Sequence, residues 1–342
     1  MMAQRTISQP SKKAFTLVEI LVSVAVIVLM LIMLSQLATN VQKSFRSTAA
    51  KSDQFRAARA ALEVITWRLS QAVLNTNWEY NNPNNPTAYL RSSDLRFETG
   101  AAATLLAGSA TNFPGHAVFF QGPGVLLRNP QNSNSFAADS RLEDLLNTMG
   151  FFVQFKSDAS YRPPFLGSTI PARRRYRLMA LIEPSEDFLH TLNHTNSRQW
   201  YRQSAPDKAR VLADNVIGLV IWPRLSSRDD PSGTQLTTNY AYNSSPSGSL
   251  STSQPKNENQ LPPLVTVTLV AIDEKSAVRL EQAYSGAPPV WESSWFTNVT
   301  QYDSDIQKVK NRLSGADGVI TVPIEYRIFT ADVPLRASRW SR

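Results

Sequence analysis

Glu19 places a carboxylate within an apolar stretch: Phe15, Leu17 and Val18 precede it, and Ile20 to Leu34 is apolar except for Ser23. An ionisable group in such a segment is disfavoured by a few kcal/mol at a bilayer centre and by less near an end, so Glu19 requires a partner. Other candidate chemistry lies farther along the chain. His190 and His194 stand four apart and could share a helix face as metal ligands. Thr191 occupies the position where a zinc hydrolase carries Glu, and the third histidine, His116, is remote, so surface histidines are expected. Asp229 and Asp230 before Pro231, and Asp303 with Asp305, could offer oxygens to calcium, but neither run has ordered ligand spacing. Asp303 and Asp305 also fall at an expected helix start, where the dipole favours acids.

The densest basic spots are Arg173-Arg174-Arg175-Tyr176-Arg177 and the terminal Arg336, Arg339 and Arg342. They could meet an acidic polymer or a neighbouring subunit, though a solvated sheet edge protected by positive charge is the expected reading. Trp291 and Trp295, with Phe296, could form an exposed patch but are expected in the core. The chain has no cysteine, which excludes disulfides, zinc-thiolate sites and cysteine nucleophiles. No Gly-rich phosphate loop, serine elbow or paired-carboxylate motif accompanies these residues. The expectation is therefore no enzyme, no catalytic residue, no cofactor and no metal.

The elements that must position Glu19 are read from the N-terminus. Residues 1–14 carry Arg5, Lys12 and Lys13 and no acid, so the net charge of +8 falls to +5 in side chains without them. Basic residues are otherwise dispersed, and nucleic acid is not expected as a partner. A basic leader followed by an apolar run is a membrane-targeting signature. Three readings compete: a secretory signal, a plain anchor, and a segment processed before its apolar run. The first lacks a small-residue cleavage pattern around Ser35-Gln36-Leu37-Ala38, and the second gives no reason for Glu19.

The run Lys12-Lys13-Ala14-Phe15-Thr16-Leu17-Val18-Glu19 resembles the processing site of type IV prepilins and type II secretion pseudopilins. The resemblance implies a prepilin peptidase cut between Ala14 and Phe15, methylation of the new Phe15 amine, and Glu19 as the fifth mature residue, serving subunit assembly. Lys12 and Lys13 supply the leader's positive charge on the cytoplasmic side. Ala14 departs from the family's usual Gly. A carboxylate from one subunit could neutralise the freed amine of its neighbour during packing.

No Pro occurs between Ser11 and Asn82, and the first Gly is Gly100, so one helix is expected from Phe15 to about Thr76, roughly 90 Å at 1.5 Å per residue. Its transmembrane half is 15–36. Beyond it, Phe55, Ala58, Leu62, Ile65, Leu69 and Val73 recur at helical spacing and predict an amphipathic continuation packed on the head, giving a lollipop shape. Residues 88–336 read as the head, with strands expected at Leu95–Glu98, Ala117–Gln121, Phe151–Lys156, Tyr176–Ile182, Val216–Trp222, Leu264–Ile272 and Ile320–Phe329. Helices are expected at Arg141–Thr148, Ala277–Tyr284 and after Ser304, begun by Ser140, Ser276 and a Ser304/Gln307 capping box and ended by Gly150, Gly286 and Gly315. Residues 226–260 are Ser-, Asn- and Thr-rich and read as a polar loop or disordered insertion.

The fold class expected is α+β and pilin-like: the long helix packed on antiparallel sheets of a head with short helices. An aliphatic strand, a polar loop and a Leu261-Pro262-Pro263 step into an alternating strand is similar to minor pseudopilin J of type II secretion and to the Verru_Chthon cassette protein C family. The resemblance implies a minor pilin or pseudopilin in the bacterial inner membrane. It would be single-pass with the head outside the cytoplasm, and would join a type IV pilus or type II secretion-like filament. Its partners would be the prepilin peptidase, other pilin subunits and an inner-membrane assembly platform. The alternative is a membrane-tethered binding module, an adhesin or cargo-recognition head outside any filament.

Overall fold

The computed structural model describes residues 16–124, 126–129, 132–138, 145–160, 162–163, 165, 171–185, 201–202, 205, 208–245 and 254–340. The chain divides into two units, 1–52 and 53–342, each described by itself.

In the first unit, helix α1 (Leu17–Ser70) begins. Every side chain from Thr16 to Arg46 is exposed, although the stretch is mostly apolar. At 1.5 Å per residue its apolar span, Leu17–Arg46, reaches about 45 Å, more than the ~30 Å of hydrocarbon in a bilayer. By length and composition this helix is able to cross a membrane.

In the second unit the last turns of α1 bury Phe55, Ala58, Ala61, Leu62, Ile65 and Leu69, the stripe that the spacing predicts. The helix stops at Ser70, six residues before the expected end. The apolar pattern continues through Val73, but the Val73 N–H is captured by the Gln121 carbonyl at 2.9 Å, a bond to a distant strand in place of one within a further helical turn.

Among the described residues thirteen strands follow: β1 (Asn77–Tyr80), β2 (Tyr89–Ser92), β3 (Glu98–Ala101), β4 (His116–Gly124), β5 (Leu126–Asn129), β6 (Asn132–Ala138), β7 (Leu145–Ser157), β8 (Arg174–Glu183), β9 (Arg210–Asp214), β10 (Val216–Arg224), β11 (Tyr242–Asn243), β12 (Leu264–Ile272) and β13 (Tyr326–Pro334). They form a six-stranded sheet, β11-β3-β4-β7-β8-β9, a three-stranded sheet, β10-β12-β13, and the hairpins β1-β2 and β5-β6. Every described pairing is antiparallel. The architecture is α+β.

Alternation along the six-stranded sheet serves two cores. Val118, Phe120, Phe151 and Leu178 join α1 and the three-stranded sheet in the larger one, whereas Ala117, Phe119, Phe152 and Met179 face a smaller one with Leu105 and Tyr201. Asn215, at φ 59°, carries the chain from β9 in one sheet to β10 in the other. Gly115, at φ 73°, lies so close to β10 that a Cβ there would sit 2.4 Å from the Leu219 carbonyl oxygen.

Several expectations are corrected. Residues 141–144 of the expected first helix lie outside the described residues, and Leu145–Thr148 is already strand, paired with Gly124 to Gln121. The non-local ladder outweighs a short local helical pattern, and buried Asn147 fixes it by donating to the Leu126 and Glu183 carbonyls at 2.8 and 3.0 Å. Gly150 is therefore a strand residue, needed because the Phe119 ring lies across it. Leu95 and Phe97 are buried but precede β3, since the amides of Arg96 and Phe97 donate to the Gln121 and Ser244 side chains. The last strand starts at Tyr326, after Pro323, which has no N–H for a ladder.

Helix α2 (Glu274–Ala283) is capped by Asp273, whose carboxylate accepts the Ser276 N–H at 2.8 Å. Ser276 is instead inside the helix, its hydroxyl accepting the Glu325 N–H. Helix α3 (Tyr302–Leu313) follows a 3₁₀ turn capped by Asn298, so Ser304 and Gln307 are interior and form no capping box. Gly315 ends α3 at φ 76° as expected, whereas Gly286 has no left-handed φ.

The polar insertion is a loop over most of its described residues, one of the two expected readings, but it does pack into the core. Within 226–260, residues 246–253 lie outside the described residues, but Tyr240 is fully buried and β11 completes the edge of the six-stranded sheet. The Tyr242 hydroxyl donates to the Gln260 carbonyl at 2.8 Å. Tyr240-Ala241-Tyr242, an aromatic alternation in a polar run, is the sequence signal that composition hides.

Candidate functional site

Thr16 and Glu19 form the start of α1. The Thr16 N–H and hydroxyl both donate to Glu19 Oε2 at 3.1 Å, and the Glu19 N–H donates to Thr16 Oγ1 at 3.3 Å. This is a reciprocal capping box, satisfying donors that a helix N-terminus leaves unpaired. The partner that Glu19 requires is thus supplied by its own chain in the isolated molecule. Glu19 remains exposed. The expected cleavage residues Ala14 and Phe15, and the leader charges Lys12 and Lys13, lie outside the described residues.

The other candidates resolve into structure. His190 and His194 lie outside the described residues. Asp230 is buried and accepts the Gln235 N–H and Ser232 hydroxyl, each at 2.8 Å. Burial alone raises its pKa, but these bonds and the amides of Thr234 and Gly233 outweigh it, holding the carboxyl below the usual range. Asp305 is buried, accepts the Phe296 N–H at 2.8 Å and pairs with Lys308 at 2.7 Å, while Asp303 is exposed. These acids hold loops in place and do not converge on one point.

The arginine run is a solvated edge only in part: Arg173 and Arg174 are exposed, where β8 pairs with β7 alone, whereas Arg175 and Arg177 are buried, and β9 joins β8 only from Arg177. Arg175 is buried and paired with Glu281 and, at 3.3 Å, with Glu274. Arg177 is buried against Asp214 at 2.9 Å. Neighbouring acids from α2 and β9 neutralise what reads in sequence as a basic patch. A cavity of about 200 Å³ opens beside this cluster, lined by Phe155, Tyr176, Leu280 and Tyr284 among others. Two of its polar side chains are spent on the protein itself, Arg174 donating to the Ser285 carbonyl and Tyr176 to the Pro288 carbonyl, while the Asn215 amide donates to Glu274 and leaves its buried oxygen without a protein partner.

Trp295 and Phe296 are buried and Trp291 half-buried, with Trp291 stacked on Phe296 at 5.3 Å between centroids. They are core, as expected. His116, set aside in the sequence as remote from the other two histidines, is buried. It donates from Nε2 to the Phe296 carbonyl at 3.1 Å and accepts the Ile221 N–H on Nδ1 at 3.2 Å, joining β4 to the edge of β10. Burial pushes its pKa down to about 4, against the raising effect of those two backbone bonds.

Residues 9–35 match the family described as the prokaryotic N-terminal methylation motif, which supports a prepilin-type protein. The matched stretch contains the Thr16–Glu19 capping box and the first half of the exposed apolar helix. No curated protein and no solved structure matches the chain.

Proposed function

We propose that this chain is a minor pilin or pseudopilin, cut between Ala14 and Phe15 and built through α1 into a type IV pilus or type II secretion-like filament. Residues 1–14 are the leader removed by the prepilin peptidase, with Lys12 and Lys13 held on the cytoplasmic side. The Phe15 amine is methylated. Residues 15–36 span the inner membrane, and the head, 88–336, stands outside the cytoplasm. The role is structural, not enzymatic. Its resemblance to minor pseudopilin J and to the Verru_Chthon cassette protein C family fits a minor rather than a main subunit.

The observation that carries this reading is the methylation-motif match at residues 9–35, running into an apolar helix exposed throughout Leu17–Arg46. Apolar surface left open on this scale needs lipid or the helices of other subunits to cover it. On assembly Glu19 exchanges its Thr16 donors for the Phe15 amine of a neighbour. A carboxylate is strengthened by that exchange because the new donor carries charge.

Intact-mass and N-terminal peptide analysis of the protein from membranes with and without the prepilin peptidase tests it. A chain beginning at methylated Phe15 only when the peptidase is present supports the reading. An uncut chain in both, or a start beyond Ala38, overturns it.

A further inference from the structure

The hairpin β1-β2 carries a feature that the filament reading does not use. Side chains alternate across a strand, and the register pairs Trp78 with Arg91 and Tyr80 with Tyr89. All four therefore share one face. The three rings are among the most exposed large side chains of the head, Trp78 at 59%, Tyr80 at 51% and Tyr89 at 63%. Tyr80 and Tyr89 lie with centroids 4.9 Å apart and their hydroxyls joined at 3.3 Å, and the Arg91 guanidinium sits 6.0 Å from the Trp78 ring.

The plate is held stiffly. Arg91 donates to the Glu258 and Pro255 carbonyls at 3.1 and 2.9 Å, and its own backbone exchanges hydrogen bonds with Gln254 at 2.6 and 2.7 Å. At the hairpin's end, Asn81 accepts the amides of Thr87 and Ala88, and Asn82 accepts the amide of Asn84. Exposed Asn84 and Asn85 then rim the tip with hydrogen-bonding groups.

We propose that this face binds a neutral polysaccharide, with sugar rings stacked on Trp78 and on the Tyr80–Tyr89 pair. The composition of the face selects the occupant. It contributes aromatic rings and no aliphatic side chain, Leu90 falling on the opposite face by register. Such rings offer flat negative faces to the C–H bonds of a pyranose, while tyrosine hydroxyls and asparagine amides meet its hydroxyls. Charge also discriminates. Glu258 lies near Arg91, and the Arg91 head is engaged with carbonyls, so the face lacks the unmatched positive groove that a nucleic acid backbone requires.

Full-length protein in detergent is titrated with cellohexaose and with chitohexaose, following tryptophan fluorescence, alongside Trp78→Ala and Tyr89→Ala. These side chains are exposed, so unchanged thermal melting checks that the variants fold. Saturable binding of either hexasaccharide, weakened at least tenfold by both substitutions, supports the assignment. Absence of binding at millimolar sugar, or equal binding by the variants, overturns it. Ring-dependent binding of oligothymidylate without sugar binding, or self-association abolished by Trp78→Ala, would reassign the face to DNA or to a second copy. Shielding of Trp78 on reconstitution into phosphatidylcholine vesicles would reassign it to the bilayer surface. None of these outcomes depends on cleavage at Phe15, so failure here leaves the filament reading standing.

Discussion

Thr16 and Glu19 satisfy each other at the first turn of α1: one carboxylate oxygen receives both the amide and the hydroxyl of Thr16, and the threonine oxygen receives the glutamate amide. The same carboxylate is the group assigned to a neighbouring subunit's amine, so capping and assembly draw on one side chain.

Glu19→Gln separates the two roles, because an amide oxygen still accepts the Thr16 donors but carries no charge. The variant is expected to insert in the membrane and keep its helix, and to fail to co-sediment with filaments. Thr16→Ala is expected to cost the helix start about 1 kcal/mol while leaving assembly measurable. Co-sedimentation equal to wild type for Glu19→Gln would refute a charge-based role.

The His116 bonds predict a pH dependence. Its pKa is about 4 in the folded chain against 6.5 ordinarily, so below pH 6.5 the unfolded chain takes up a proton that the folded one refuses. Stability therefore falls as pH drops from 6.5 towards 4, by about 3 kcal/mol over the window. His116→Phe is expected to lower stability at pH 7 by about 2 kcal/mol, through the orphaned Ile221 N–H and Phe296 carbonyl, and to flatten that slope. Urea midpoints of the detergent-solubilised protein at pH 7, 5.5 and 4.5 read both effects.

Removing Glu281 leaves buried Arg175 with the Glu274 carboxylate and the Arg174 carbonyl. Glu281→Ala is expected to destabilise by about 2 kcal/mol, and Arg175→Met with Glu281→Leu to recover most of that loss. A double-mutant cycle on denaturation midpoints measures the coupling. Additive losses would mean that the pair is not coupled in solution.

Tyr240 packs against His116, Trp222 and Phe296, with ring centroids between 4.9 and 6.4 Å. Tyr240→Ala is expected to cost about 4 kcal/mol and to open 226–245 to limited proteolysis. A freely disordered insertion would show neither effect.

Features that depend on neighbours within a few residues were legible in the chain before folding. The uninterrupted apolar run sets α1, the three- and four-residue spacing from Phe55 to Leu69 sets its buried stripe, and the β-branched alternation of Leu264–Ile272 sets β12 to the residue. Glu19 was legible as a carboxylate needing a partner, although its capping geometry with Thr16 was passed over. Tertiary structure alone decided where distant groups compete for the same backbone. Gln121 took the Val73 amide and ended α1 early, Gly124 to Gln121 drew Leu145–Thr148 into a strand, and the acids of α2 and β9 paired with Arg175 and Arg177, the two buried members of an arginine run that reads as surface. The same holds for Tyr240, whose burial inside a polar segment rests on rings up to 124 positions away in sequence, as His116 is. Local propensity amounts to tenths of a kcal/mol per residue, whereas a ladder hydrogen bond or a buried ring brings about one to several, so the distant partner prevails wherever the two disagree.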